Sequence, residues 1–455
     1  MVDDTWDTLP EQVRRLMLAA ATGHRAGAAG WATVHEGIAS HNRRWRALRP
    51  PLLSAAGLRE LHDLSDRLMT LILEACRRRA RTAGELRERL GVAPGHLVLL
   101  DEDAPLTEEL LAAARPDILV SGGVPRFVEF NIDGALGGAM DSDAVAARYA
   151  ALYQAHGITD LLPLRAAPSA VDGRFAAIRA AVDPAPGSAS GPAIRVAMLM
   201  DLDSGYPGME DPERFLNAFA PVTAAATKAG LDLVPWPVGR LRLDADRRLL
   251  ADGGPVDAAF RLFGLDKVPA TAGLGALETA VQAGTVTVFT PAASWLLSNK
   301  LALAWLWQDA DSLPAADRDL VHRHVPRTVA CTAEELDRAL AGRHDLVLKP
   351  AGGSGGAGVL LGRETTAPSW RAGLDHAVQT GGYLLQEYVT SDGLPMPFVD
   401  LDDGSIVEAS VPYCLGPYLF GRRQCGGEVR FGFPGGGAVL NLDRGALVSG
   451  LLLTP

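Results

Sequence analysis

Apolar and polar positions change period along this chain, and the changes mark its elements. Within residues 54–81, Leu58, Leu61, Leu64, Leu68, Leu71 and Leu73 recur at helical spacing, and Leu9-Pro10-Glu11 opens an earlier helix. Residues 1–92 are therefore expected to form a helical N-terminal region, serving as scaffold or as a wall of a pocket. Trp31, His35, His41 and Trp45 within it read as structural residues. At Leu97 the texture shifts: LVLLDEDAP predicts a strand and loop, and residues 107–114 a short helix with Glu108 and Glu109 in its favoured first turn. Residues 118–120 and 127–130 predict two strands joined by Ser121-Gly122-Gly123. Residues 184–192 are the most linker-like stretch.

Beyond that stretch, apolar runs at 194–201, 231–236, 256–264 and 285–290 alternate with helical segments, one of them spanning 212–230. This pattern predicts a parallel or mixed sheet. Ligands of such sheets lie at the C-terminal strand ends, which points to the 204–211 loop and Arg261. Residues 294–307 predict a helix with Ser298 or Asn299 as N-cap and Lys300 in its first turn, where a cation is unfavourable unless an anion is near. Strands follow at 346–350, 359–361, 383–389, 426–433 and 438–448. The fold class is α+β or α/β, divided as 1–92, 93–165, 193–290 and 291–455.

The densest chemical signal is LVLKPAGGSGGAGVLLG, residues 346–362. Gly352, Gly353, Gly355, Gly356 and Gly358, with Ser354 among them, form a loop whose backbone N–H groups can close on an anion. Lys349 supplies a fixed charge on the incoming strand. No Gly-Lys-Ser/Thr and no helix follow, which excludes the P-loop and the dinucleotide fingerprint. A bare glycine-rich hairpin competes with the phosphate reading on this stretch alone. A second signal is Asp117, Glu129 and Asn131 at strand ends, Glu129 and Asn131 on one face by the period of two. Two carboxylates and an amide oxygen suit Mg²⁺, and the apolar neighbours Phe127, Val128 and Phe130 imply a partly buried Glu129 that needs a cation.

Composition removes other classes. A formal net charge of −11 with no basic run argues against nucleic acid or an anionic membrane as partner. No apolar run approaches the roughly 18 residues of a membrane span. The acidic, polar start is unlike a signal peptide, and Cys76, Cys331, Cys414 and Cys425 form no Cys-x-x-Cys pair, so a reduced cytoplasmic setting is expected.

Together these pieces resemble the ATP-grasp superfamily in its circularly permuted form, as in glutathionylspermidine synthases, eukaryotic glutathione synthetases and pre-ATP-grasp peptide ligases. Lys300, Lys349 with its loop, Gln386-Glu387-Tyr388-Val389 and Asn441-Leu442-Asp443-Arg444-Gly445-Ala446 follow the family's order. The Glu129-Phe130-Asn131 strand stands near the front instead of last. Arg115-Pro116-Asp117 and Ser298-Asn299-Lys300 are similar to glutathionylspermidine synthase. The resemblance covers 115–138 and about 285–447. It is looser over 194–264, the counterpart of a pre-ATP-grasp substrate domain, and absent from 1–92. The glycine loop lacks the acidic residue of glutathione synthetase-like loops, and no amidase half or polyamine signature is present.

The resemblance implies an ADP-forming carboxylate–amine ligase working through an acyl phosphate on an amino acid or short peptide. Its cofactors would be ATP and Mg²⁺, two ions. Asp117, Glu129 and Asn131 would hold the metal, Lys300, Lys349 and the loop the phosphates, and Gln386, Glu387, Tyr388 and Val389 the adenine. Arg115 and Arg430 would carry the catalytic positive charge. A phosphotransferase on a hydroxyl and a non-catalytic nucleotide-binding protein are the alternatives. Homo-oligomerisation is left open, and Arg214, Arg261, Arg422 and Arg423 are further candidates for an anionic substrate.

Overall fold

The computed structural model describes residues 9–25, 28–38, 42–182, 193–202, 219–353 and 355–455. The 184–192 stretch, the 204–211 loop, Arg214 and Ser354 lie outside the described residues.

The largest sheet has seven strands and is assembled from both ends of the sequence. Its path runs Leu447–Gly450, Arg423–Phe431, Ile406–Phe420, Gly393–Asp400 and Trp45–Ala47, and the hairpin Ala113–Ser121/Val124–Ile132 joins through Ala113–Ser121 onto Ile406–Phe420. The early region is thus not wholly helical. Trp45–Ala47 pairs with Gly393–Asp400, and Leu52–Ser54 runs parallel to Leu452–Thr454. Ser54 then caps the helix Ala55–Arg77 by accepting from Gly57 N–H at 2.9 Å. Leu58, Leu61, Leu68 and Leu71 are completely or almost completely buried, each worth about 2 kcal/mol of burial, and they pack with Leu303, Leu415 and Val429 beneath the large sheet.

A four-stranded parallel sheet, in the order Thr287–Phe289, Ala258–Arg261, Ile194–Met200 and Leu231–Pro237, forms the second unit. The described part of the helix expected at 212–230 is Ala220–Lys228. A third, antiparallel sheet orders Thr328–Ala330, Tyr383–Glu387, Leu346–Pro350 and Leu360–Leu361. It rests on the helix Ala367–Thr380, whose Trp370 is fully buried and donates its indole N–H to Ala339 O at 3.0 Å.

Several local expectations need correction. Residues 97–100 form turns and no strand, with Leu99 held at φ +62°. The helix expected at 107–114 is one 3₁₀ turn, Glu108–Leu111, because strand pairing claims Ala113 onward. The 294–307 helix is broken into a 3₁₀ segment, Ala292–Ser298, and the α-helix Leu301–Asp309. Asn299 is extended between them and its Oδ1 accepts from Leu301 N–H at 3.0 Å. Residues 438–441 carry no strand. The chain makes a 3₁₀ turn, Leu442–Arg444, before Leu447–Gly450 pairs with Arg423–Phe431.

Candidate active site

The hairpin presents its polar residues because of two local features. Gly122 and Gly123 take φ of 57° and 73°, the double left-handed turn that tightly links antiparallel strands, and both N–H groups donate to Asp392 at 2.8 Å. Asp117 lies opposite Glu129 and Arg115 opposite Asn131, but Ile118 lies opposite Phe127. Val128 is therefore an extra residue, a bulge that resets the alternation. Phe127 and Phe130 turn to the core and stack at 5.5 Å, while Glu129 and Asn131 face outward to a cavity.

Hydrogen bonds stitch the distant segments together there. Ser298 Oγ accepts from Ile132 N–H at 2.7 Å, fixing the end of the Glu-x-Asn strand beside Lys300. Lys300 N–H donates to Ala351 O at 2.9 Å, and its ammonium to Gly353 O at 3.1 Å, tying the helix start to the glycine loop. Buried Gln386 donates to Val128 O at 3.3 Å and accepts from Lys349 Nζ at 2.7 Å. The Asn441 amide donates to Gly355 O and holds the loop from its far side.

The result is a cavity of about 430 Å³ between the large and small sheets, within the ordinary range for ligand sites. Lys349, Gly355 and Gly356 line one wall, and Arg115, Asp117, Glu129, Asn131 and Arg430 another. Gln386, Glu387, Tyr388 and Val389 form one end, next to the apolar Leu119, Val128, Val347 and Leu361. Gly352 and Gly353 line an adjoining cavity, and Lys300 meets the site through Glu129, 3.5 Å away. That carboxylate is the anion expected near the lysine. Arg261 does not line either cavity. It is buried and clasps Asp133, tying the end of the hairpin to the parallel sheet. Arg422 is bound to Asp66 and Glu108, away from the cavity.

Charges here are tightly interlocked. Arg430 pairs with Asp117 at 2.6 Å and with Glu428 at 3.3 Å, and Arg115 pairs with Glu428 at 3.3 Å. Burial would raise the Asp117 carboxyl, but Arg430 and Arg115 outweigh it and hold it below the usual range. Burial, then the like charge of Lys300, brings Lys349 down to about 8, against the pull of Glu129 and Asp117. Burial pushes the Cys414 thiol up to about 12, so it stays protonated and is no nucleophile.

Glu428, on the strand Arg423–Phe431, is a functional-site group that the sequence motifs did not assign. It bridges both arginines, with Tyr418 Oη 3.4 Å away, and its carboxylate sits where any side chain at Gly138 would collide. Glu428 and Arg430 share a strand face by the period of two, which was a usable signal. Asp117, Glu129 and Asn131 form a hard-oxygen set suited to Mg²⁺. The Asn131 amide N–H donates to Arg115 O at 3.1 Å, leaving its carbonyl oxygen for a ligand. Among the described residues no three His, Cys, Asp or Glu side chains gather into a metal cluster.

This mixed α/β architecture has a counterpart among solved structures. The apo structure of a glutathione synthetase-like effector from Globodera pallida is similar over 98% of this chain and 98% of that one, with a TM-score of 0.57 and 12% identity. At that identity the likeness describes the fold alone. No protein-family model and no curated protein matches the chain. No helix among the described residues is long and apolar enough to cross a membrane.

Proposed function

We propose that this protein is an ATP-dependent carboxylate–amine ligase with a circularly permuted ATP-grasp arrangement, forming ADP through an acyl phosphate. One observation carries the reading. Lys349 with Gly355 and Gly356, the 386–389 strand end and the Asp117/Glu129/Asn131 set come from three separate parts of the chain and line one cavity.

ATP would lie with its adenine against the 386–389 strand end and the apolar slot beside it. Its phosphates would lie toward Lys349, Lys300 and the loop N–H groups. Asp117, Glu129 and Asn131 would hold Mg²⁺, which when bound supplies neutralising charge to the phosphate oxygens. A substrate carboxylate oxygen attacks the γ-phosphorus and ADP departs. An amine nitrogen then attacks the acyl carbon, the C–O bond to phosphate breaks, and the amine proton passes to solvent. Arg115 and Arg430 are preorganised by Glu428 and meet the negative charge that develops in both steps. The glycine loop would cover the acyl phosphate and keep water from it.

The test is Mg²⁺-dependent release of ADP and phosphate from ATP with pooled amino acids and small acids, alongside Glu129→Ala. Release that needs one acid–amine pair and disappears in the variant is the expected result. AMP and pyrophosphate would overturn the acyl-phosphate step. ATP bound without turnover over a wide pool is the behaviour of a nucleotide-binding protein.

A further inference from the structure

A second cavity, about 290 Å³, adjoins the first and shares Arg115, Glu129 and Asn131 with it. Its far wall is the loop after Ala258–Arg261, at the C-terminal edge of the parallel sheet, where such sheets take ligands. Leu136, Leu262 and Trp295 give it an apolar flank. Arg115 and Glu129 stand where it meets the first cavity, and Asp266 and Lys267 stand on its far wall.

At the inner end, the hydrogen bonds of the Arg115 side chain among the described residues leave through one terminal nitrogen, to Gly137 O, Tyr418 Oη and Glu428. Its Nε is buried with no hydrogen-bond partner among the described residues. A buried unspent guanidinium edge calls for an acceptor, and a carboxylate fits it with two parallel bonds. At the outer end Asp266 is half-buried and has no hydrogen bond or ion pair among the described residues, beside the exposed Lys267. Asp133, also in the wall, is already committed to Arg261.

We propose that this cavity holds the acyl-donor substrate as an unblocked amino acid, its carboxylate on the free edge of Arg115 and its ammonium against Asp266. Asp266 is then the residue that separates free amino acids from N-acylated acids. The inference rests on the ligase reading, since the carboxylate must meet the phosphate beside Glu129.

The test is calorimetric titration of leucine, N-acetyl-leucine and leucinamide, with a non-hydrolysable ATP analogue and Mg²⁺ present. Leucine matches the apolar flank. It should bind at least roughly tenfold tighter than either blocked form, the scale of one hydrogen-bonded charge pair. Asp266→Asn should lower leucine to the level of N-acetyl-leucine and leave N-acetyl-leucine unchanged, and Asp266→Glu should keep the preference. Equal binding of leucine and N-acetyl-leucine, an unaltered ratio in Asp266→Asn, or no binding of any probe overturns the proposal. The analogue titrated alone separates the two claims. If it binds while no ammonium preference is seen, only the substrate assignment falls. If it does not bind, the ligase reading falls.

Discussion

Replacing Lys349 by Met separates what the lysine does for binding from what it costs the fold. Its ammonium is largely buried near Lys300, and its proton affinity falls from the ordinary 10.5 to about 8. A depression of that size corresponds to about 3 kcal/mol, of which about 2 kcal/mol should be realised because the group faces an open cavity. The folded state binds the proton less tightly than the unfolded chain does. The cost is therefore fully present below about 8 and disappears as pH rises toward about 10.5. Raising pH from 7 to 10 should stabilise the wild type relative to Lys349→Met by about 2 kcal/mol. At pH 7 the variant gains the removed penalty and loses about 1 kcal/mol by leaving Gln386 Oε1 without its 2.7 Å donor. It should match or exceed the wild type in stability while losing affinity for ATP. Urea unfolding of both proteins at pH 7 and pH 10, followed by tryptophan fluorescence, reads the effect. A wild-type-minus-variant difference that stays constant across that range would refute the assigned charge environment.

Three other outcomes follow from the same structure. Arg430→Met leaves Asp117 buried without its 2.6 Å partner and should cost about 3–5 kcal/mol, largely recovered in Asp117→Asn/Arg430→Met, as a denaturation cycle would measure. Trp370→Ala empties the core of the small sheet and should cost about 3–5 kcal/mol, seen as local hydrogen exchange over Leu346–Pro350 and Tyr383–Glu387. Ser54→Ala removes the cap of Ala55–Arg77 and should lower stability by about 1 kcal/mol with ATP affinity unchanged, a split visible in thermal melts against nucleotide titration.

By itself the sequence determined the local elements whose period or turn chemistry is strong. The hairpin was legible because Gly122-Gly123 fits a tight turn and apolar residues flank it. The strand into the glycine loop was legible because Leu346, Val347 and Leu348 are a pure apolar run, and Leu348 pairs with Leu360 on the loop's far side. Residue types at the cavity were legible too, since Lys349, Asp117 and Glu129 are rare companions for apolar strands. Tertiary structure decided whatever depended on non-local pairing. Trp45–Ala47 is a strand only because Gly393–Asp400 offers it an edge, an interaction between segments far apart in the chain that no local period records. The bulge at Val128 arises from register against Ile118, and it sets which face Phe127 shares. Glu428 gained its place because two arginines from different strands close on one carboxylate, and Arg261 lost its expected place because Asp133 claimed it. Periodicity reports which face of an element is buried, and partners across the fold decide what that face meets.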